Sequence, residues 1–156
     1  VPVTAIVQFA RAFGGVEHRC ELVRERNGVR WYNDSIGSSP SRTIAGLQAF
    51  RQKVILIAGG YDKHIPYTPL GPVAAEKVQA AVLLGATADA IEAAIRACSD
   101  LPIYRVKDMS EAVQTADRLA GDGDIVFMSP ASASFDMYKN FEERGQHFKT
   151  LVQNLP

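Results

Sequence analysis

Val54 to Ala58 reads Val-Ile-Leu-Ile-Ala, apolar at every position. A strand wetted on one face alternates polar with apolar residues. A continuous run belongs inside a sheet covered on both faces, and such sheets are parallel. The rest of the chain supplies that cover. Ala80 to Leu84, Ile103 to Val106 and Asp124 to Met128 are further short strands, each separated from the next by a helical pattern. Pro40 opens a helix with Ile44, Leu47 and Phe50 on one face, and Ser39 before it is a natural N-cap. Another helix lies around Val73 to Lys77, and a third spans Ala88 to Cys98. Asp108-Met109-Ser110-Glu111 resembles a capping box and leads into a helix whose inner face is Val113, Ala116 and Leu119. A last helix carries Phe141, Phe148, Leu151 and Val152 and runs to about Leu155. At the start, Cys20 to Arg24 and Val29 to Asn33 flank Asn27-Gly28, a strong hairpin signal. The pattern predicts a Rossmann-like, doubly wound, mostly parallel α/β sheet with an antiparallel hairpin at its edge.

Composition narrows the function classes. The 156 residues suffice for one domain with its own core. Their 17 basic and 17 acidic residues balance, so nothing favours electrostatic capture of nucleic acid or of an anionic membrane. No apolar run approaches the roughly 20 residues of a membrane span. Two cysteines, Cys20 and Cys98, make no disulfide framework and read as reduced thiols of a cytoplasmic protein. The chain opens at Val1 inside a helical pattern, Ala5 to Phe13, which predicts a connector over residues 1–16 and a domain over 17–156. His18, His64 and His147 show no metal-ligand spacing with the cysteines, and no metal site is expected.

Three polar loops each follow the carboxyl end of a predicted strand: Asp34 to Ser39, Gly59 to His64 and Ser129 to Ser134. In a parallel sheet those ends share one edge, where open α/β proteins bind ligands. Together the loops hold a carboxylate, two potential cations in Lys63 and His64, and several hydroxyls. Two of them lead into helix N-termini, which favour anions. The pattern suits a pocket for a small dicarboxylate or a phosphate, although turn chemistry alone also collects Ser, Gly and Asp at sheet edges.

One stretch is far more specific. Ser129-Pro130-Ala131-Ser132-Ala133-Ser134-Phe135-Asp136, followed by Lys139-Asn140-Phe141-Glu142-Glu143-Arg144-Gly145, resembles a terminal motif of the Mur ligases, ATP-dependent amide-forming enzymes of peptidoglycan synthesis. Gly15-Val16-Glu17-His18-Arg19, Asn33-Asp34-Ser35 and Ala58-Gly59-Gly60-Tyr61-Asp62-Lys63 agree with it in order and spacing. Within the family the likeness is to the carboxy-terminal domain of the branch that adds D-glutamate to UDP-N-acetylmuramoyl-L-alanine. Ser132 stands where that branch usually has cysteine.

The resemblance implies roles for particular residues. Ser38, Lys63, Ser134, Phe135 and the backbone of Phe141 would bind D-glutamate, and Arg19 and Asp34 would bind ATP. Lys63 otherwise reads as a solvated loop lysine, Asp34 as a turn residue or cap, and Arg19 as an ordinary surface arginine. No residue of the chain is expected to be catalytic. The implied chemistry is phosphorylation of the muramoyl-alanine carboxyl by ATP with Mg²⁺, then attack of the D-glutamate amine on the acyl phosphate. The chain lacks a Gly-x-x-x-x-Gly-Lys-Ser/Thr loop, so the resemblance places phosphate loop and metal ligands on preceding central and amino-terminal domains, against which this one packs. The domain alone is expected to be inactive. Ile36 departs from the family, which often has lysine there; the charge that lysine supplies must come from elsewhere, with Lys63 and His64 the candidates, or be absent. Two other readings stay open. One is another Mur or folylpolyglutamate-type amide ligase, whose usual Asp-x-Ala-His-x-Pro signature is absent at Asp34 to Pro40. The other is a non-catalytic domain that binds a small molecule.

Overall fold

The computed structural model of the chain describes residues 2–5 and 15–156. Except for Ala5, the predicted helix Ala5 to Phe13, and with it most of the predicted connector, lies outside the described residues. A six-stranded sheet organises the rest: β1 (Glu21–Arg26), β2 (Val29–Asn33), β3 (Val54–Ala58), β4 (Val78–Leu83), β5 (Ile103–Arg105) and β6 (Ile125–Met128). The spatial order is β1-β2-β6-β3-β4-β5. Among the described strands only the β1–β2 pair is antiparallel. It turns at Asn27 and Gly28, both with positive φ (51° and 76°) as a type I′ turn requires.

Among the described residues five helices cover the sheet: α1 (Pro40–Ala49), α2 (Leu70–Lys77), α3 (Ala88–Arg96), α4 (Met109–Leu119) and α5 (Phe141–Gln153). The continuous apolar strands divide their side chains between two cores. Val54, Leu56, Leu83 and Phe127 meet Leu47, Leu70 and Ile91 beneath α1, α2 and α3. Ile55, Ile57, Val82 and Val126 meet Val113, Ala116, Phe148 and Val152 beneath α4 and α5. The period-2 alternation of a strand sends neighbouring residues to opposite layers, so both layers are filled with apolar side chains.

Several boundaries differ from the expectations. α2 starts at Leu70, before Val73, and passes straight into β4 at Val78 with no loop between them. The hairpin's first strand begins at Glu21, not Cys20. α3 ends at Arg96, β5 at Arg105 and α5 at Gln153, each short of the predicted end. Phe50 does not belong to the α1 face. It follows the helix as an extended residue and stacks edge-on against Tyr32 and Phe127, with centroids 5.1 and 5.0 Å away. The fully buried side of α1 is Pro40, Thr43, Gly46 and Leu47. Ser39 occupies the N-cap position but its hydroxyl makes no cap; it lies 3.2 Å from that of Ser41. At α4 the Asp108 carboxylate does cap, accepting from the Glu111 N–H at 2.8 Å. Glu111 reaches one residue further back than in a capping box, accepting from the Lys107 N–H.

Candidate functional site

The strands β2, β6 and β3 are immediate neighbours, so the three polar loops that follow them meet at one edge. Backbone hydrogen bonds stitch the loops together. Ala131 N–H donates to Gly37 O, Gly59 N–H to Pro130 O and Tyr61 N–H to Ala133 O, at 2.8–2.9 Å. Convergence thus follows from strand order, with no long-range charge attraction needed.

Two cavities open along this edge. The first, about 290 Å³, is lined by Ser38, Lys63, Ala133, Ser134, Phe135, Asn140, Phe141 and Glu142. Every residue that the resemblance assigned to D-glutamate lies on its wall. Its volume is at the lower end of what ligand sites enclose, roughly 300–1,000 Å³. Polar groups come from Ser38, Ser134 and Lys63, and Phe135 and Phe141 make the apolar sides. The Phe141 carbonyl is engaged, accepting from the Ser35 hydroxyl at 2.6 Å. Its N–H, in the first turn of α5, has no partner within the helix and remains the backbone group able to meet a ligand.

The second cavity, about 360 Å³, brings Arg19 and Asp34 together. Asp34 is buried. One carboxylate oxygen accepts from the Cys20 N–H at 3.1 Å, the other from the Ser129 hydroxyl at 2.7 Å. Burial pushes its pKa up, against the opposing pull of these hydrogen bonds. The neighbouring Cys20 thiol is pushed up to about 11 by burial and by the Asp34 charge, so it stays protonated at neutral pH. One face of α1, Arg42, Ala45, Gly46 and Ala49, forms the opposite wall at helical spacing. An alanine-glycine wall with a guanidinium at one end fits the flat base and the anionic tail of a nucleotide. A Mg²⁺ ion does not fit here. Among the described residues of this cavity Asp34 is the one carboxylate, too few for a Mg²⁺ site of its own, and its Oδ2, which accepts from Ser129, keeps one lone pair.

Ile36 lines this second cavity, not the one that holds Lys63. His64 faces a third cavity beside α3, where it lies 3.5 Å from Asp62. Neither Lys63 nor His64 lines the cavity of Ile36; the basic side chains that do are Arg19 and Arg42. Arg42 escaped sequence reasoning because only the helical phase of α1 shows which way it faces.

Arg144 was also missed as a functional position, although it lies within the quoted motif. It is buried and donates to the carbonyls of Ser132 (2.9 Å) and Ser35 (2.7 Å) and to the hydroxyls of Ser35 (3.0 Å) and Ser38 (3.3 Å). These hydrogen-bond partners are all neutral. Burial lowers its pKa to about 10, which still leaves it charged at neutral pH. It ties the loops after β2 and β6 to α5 and places positive potential behind Ser38. The one group of potential metal ligands among the described residues, Glu17, His18 and Glu21, lies apart from both cavities' linings. Lys149 already bridges its two carboxylates at 3.1 and 2.8 Å.

Residues 18–132 match the family described as Mur ligase, glutamate ligase domain. The chain belongs to that family. UDP-N-acetylmuramoylalanine–D-glutamate ligase of Acetivibrio thermocellus is 59% identical over 96% of the chain, and that of Clostridium perfringens 49% over 99%. The chain spans about a third of the length of these relatives (34% and 35%). Two solved structures share the Mur ligase domain fold. UDP-N-acetylmuramate-alanine ligase of Thermotoga maritima superposes with a TM-score of 0.69 at 11% identity, covering 98% of this chain and 34% of its own. The bifunctional folylpolyglutamate synthase/dihydrofolate synthase of Yersinia pestis, complexed with AMPPNP and a Mn ion, gives 0.64 at 17%, covering 97% and 35%.

Proposed function

We propose that this chain is the D-glutamate-binding, nucleotide-completing domain of an ATP-dependent ligase that joins D-glutamate to UDP-N-acetylmuramoyl-L-alanine in the cytoplasm. The observation that carries the reading is the pairing of two cavities on one sheet edge. One gathers Ser38, Lys63, Ser134, Phe135 and Phe141; the other gathers Arg19 and Asp34. The segment from Asp34 to Ser38 borders both, so an amino acid and a nucleotide bound there are held a few residues apart.

In this reading the Lys63 ammonium and the Ser38 hydroxyl hold one carboxylate of D-glutamate. Ser134 and the free N–H groups at the start of α5 hold the other. The two aromatic side chains exclude water and leave the amine pointing out of the pocket. Arg19 neutralises phosphate, and Asp34 is kept in place by Ser129 and Cys20 to accept from a ribose hydroxyl. The work of the domain is orientation and charge neutralisation, with no proton-transfer group of its own. Mg²⁺ would be held outside this chain, as would the phosphate loop, with residues 1–16 the connector and 17–156 the domain. The domain by itself would turn over no ATP.

Phosphate release by the full-length gene product, supplied with ATP, Mg²⁺ and UDP-N-acetylmuramoyl-L-alanine, tests this directly. Release that requires D-glutamate, and not L-glutamate or diaminopimelate, is the expected result. Release with another amino acid moves the substrate; none with any of them overturns the reading.

A further inference from the structure

The loop from Gly59 to Pro69 carries Lys63 at its middle, and both of its ends converge on one hydroxyl. At the far end Tyr67 places its phenolic oxygen 2.7 Å from the Ser132 Oγ. At the near end the Gly60 N–H donates to Thr87 Oγ1 at 3.0 Å, and Thr87 Oγ1 lies 2.8 Å from the same Ser132 Oγ. The Thr87 N–H also donates to the Gly60 carbonyl at 3.1 Å, so Gly60 is gripped on both sides. Tyr67, Thr87 and Ser132 are all buried, exposed by 7%, 1% and 1%. Lys63 itself is exposed, and the residues from Lys63 to Pro66 are too. Its position is therefore set by how the loop ends are anchored.

We infer that Ser132, with Tyr67 and Thr87, is a clasp that positions Lys63 over the amino-acid pocket. Ser132 belongs to the same loop as Ser134 and Phe135, so the clasp fixes the two walls of that pocket relative to each other. A hydroxyl suits the task because it donates once and accepts twice, serving both partners; a thiol is a weak donor on a longer bond. Serine in place of the usual cysteine is thus matched to the tyrosine and threonine that face it. The inference rests on the proposed function only for the identity of the ligand.

Variants Tyr67→Phe, Ser132→Ala and Ser132→Cys of the full-length gene product test it, with Lys63→Ala alongside. Tyr67→Phe keeps the ring, so the fold is retained while the hydroxyl is lost. The expected result is a rise of about five- to tenfold in KM for D-glutamate, the scale of one hydrogen bond, with kcat and KM for ATP within about twofold. Ser132→Cys should fall between wild type and Ser132→Ala. An unchanged D-glutamate KM in both Tyr67→Phe and Ser132→Ala, while Lys63→Ala raises it, overturns the clasp. If Lys63→Ala leaves KM unchanged, the proposed ligand site is what fails. Amide hydrogen exchange then decides the clasp by itself. The Tyr61 and His64 amides should exchange faster in Tyr67→Phe, and unchanged exchange overturns it.

Discussion

Gly145 shows how strongly one position on a helix can be governed by its neighbours. It lies in the second turn of α5, where alanine would ordinarily be favoured over glycine by about 1 kcal/mol. A Cβ there would overlap the His18 ring and come within 3.0 Å of Ser35 Cβ. His18 cannot easily yield, because its Nδ1 pairs with Asn33 Nδ2 at 2.9 Å and the residue is buried. Overpacking of a tight site costs roughly 1–3 kcal/mol, which outweighs the gain in propensity. Gly145→Ala should therefore destabilise the chain, read as a lower urea midpoint; a midpoint at or above wild type would contradict the packing argument. The same close approach brings Arg144 within reach of Ser35 and Ser38, so the Arg-Gly pair works as a unit. The motif placed both residues in the sequence, but only the packing of α5 against the β2 loop explains why each is there.

Two helices begin with the same device, and only one of them borders the cavity that gathers Ser38, Lys63 and Ser134. At α4 the Asp108 carboxylate accepts from the Glu111 N–H, and at α5 the Asn140 side-chain oxygen accepts from the Glu143 N–H, each at 2.8 Å. In both, the glutamate reaches back to the N–H two residues before the helix, at Lys107 and Lys139. Asp108→Ala and Asn140→Ala should each cost about 1 kcal/mol of stability, the usual worth of an N-cap, measured by denaturant unfolding. Asn140 also lines the cavity proposed to bind D-glutamate, so Asn140→Ala alone should weaken D-glutamate binding in the full-length gene product. Equal effects of the two variants on D-glutamate KM would show that α5 does not position the pocket.

Across the whole molecule, the hairpin edge and α5 are joined by a small charged network. The Glu21 carboxylate accepts from Lys149 Nζ at 2.8 Å, Asn33 Nδ2 at 3.0 Å and the His18 N–H at 3.1 Å. Burial pulls its pKa up, but these hydrogen bonds together outweigh that and hold it below its ordinary value of 4.5. A depressed carboxylate binds fewer protons folded than unfolded. Its contribution is thus fully present above about pH 4.5 and is lost as pH falls through the folded value. The urea midpoints of wild type and Glu21→Gln should differ at pH 7 and converge as the pH drops below that point. A gap that stayed constant with pH would remove Glu21 from the acid response. The group is partly exposed to solvent, so the effect is modest.

Much of this architecture was legible in the chain itself. The unbroken apolar strand Val54–Ala58 announced a sheet covered on both faces, Asn27-Gly28 announced the hairpin, and the Ser129–Gly145 string pointed to the family. Those signals are local, because they depend on side-chain period, turn conformation or residue identity at fixed spacing. Helix ends were less legible: α2 and β4 abut without a turn signal, and Phe50 is held by two aromatic rings from other strands. The facing of Arg42 and Ile36 into the cavity that holds Arg19 and Asp34, the neutral cage around Arg144 and the grip of Ser132 on both ends of the Lys63 loop were decided by tertiary structure alone. Each depends on β2, β6 and β3 lying side by side, a pairing between segments separated by tens of residues, and no local preference encodes which strand lies next to which.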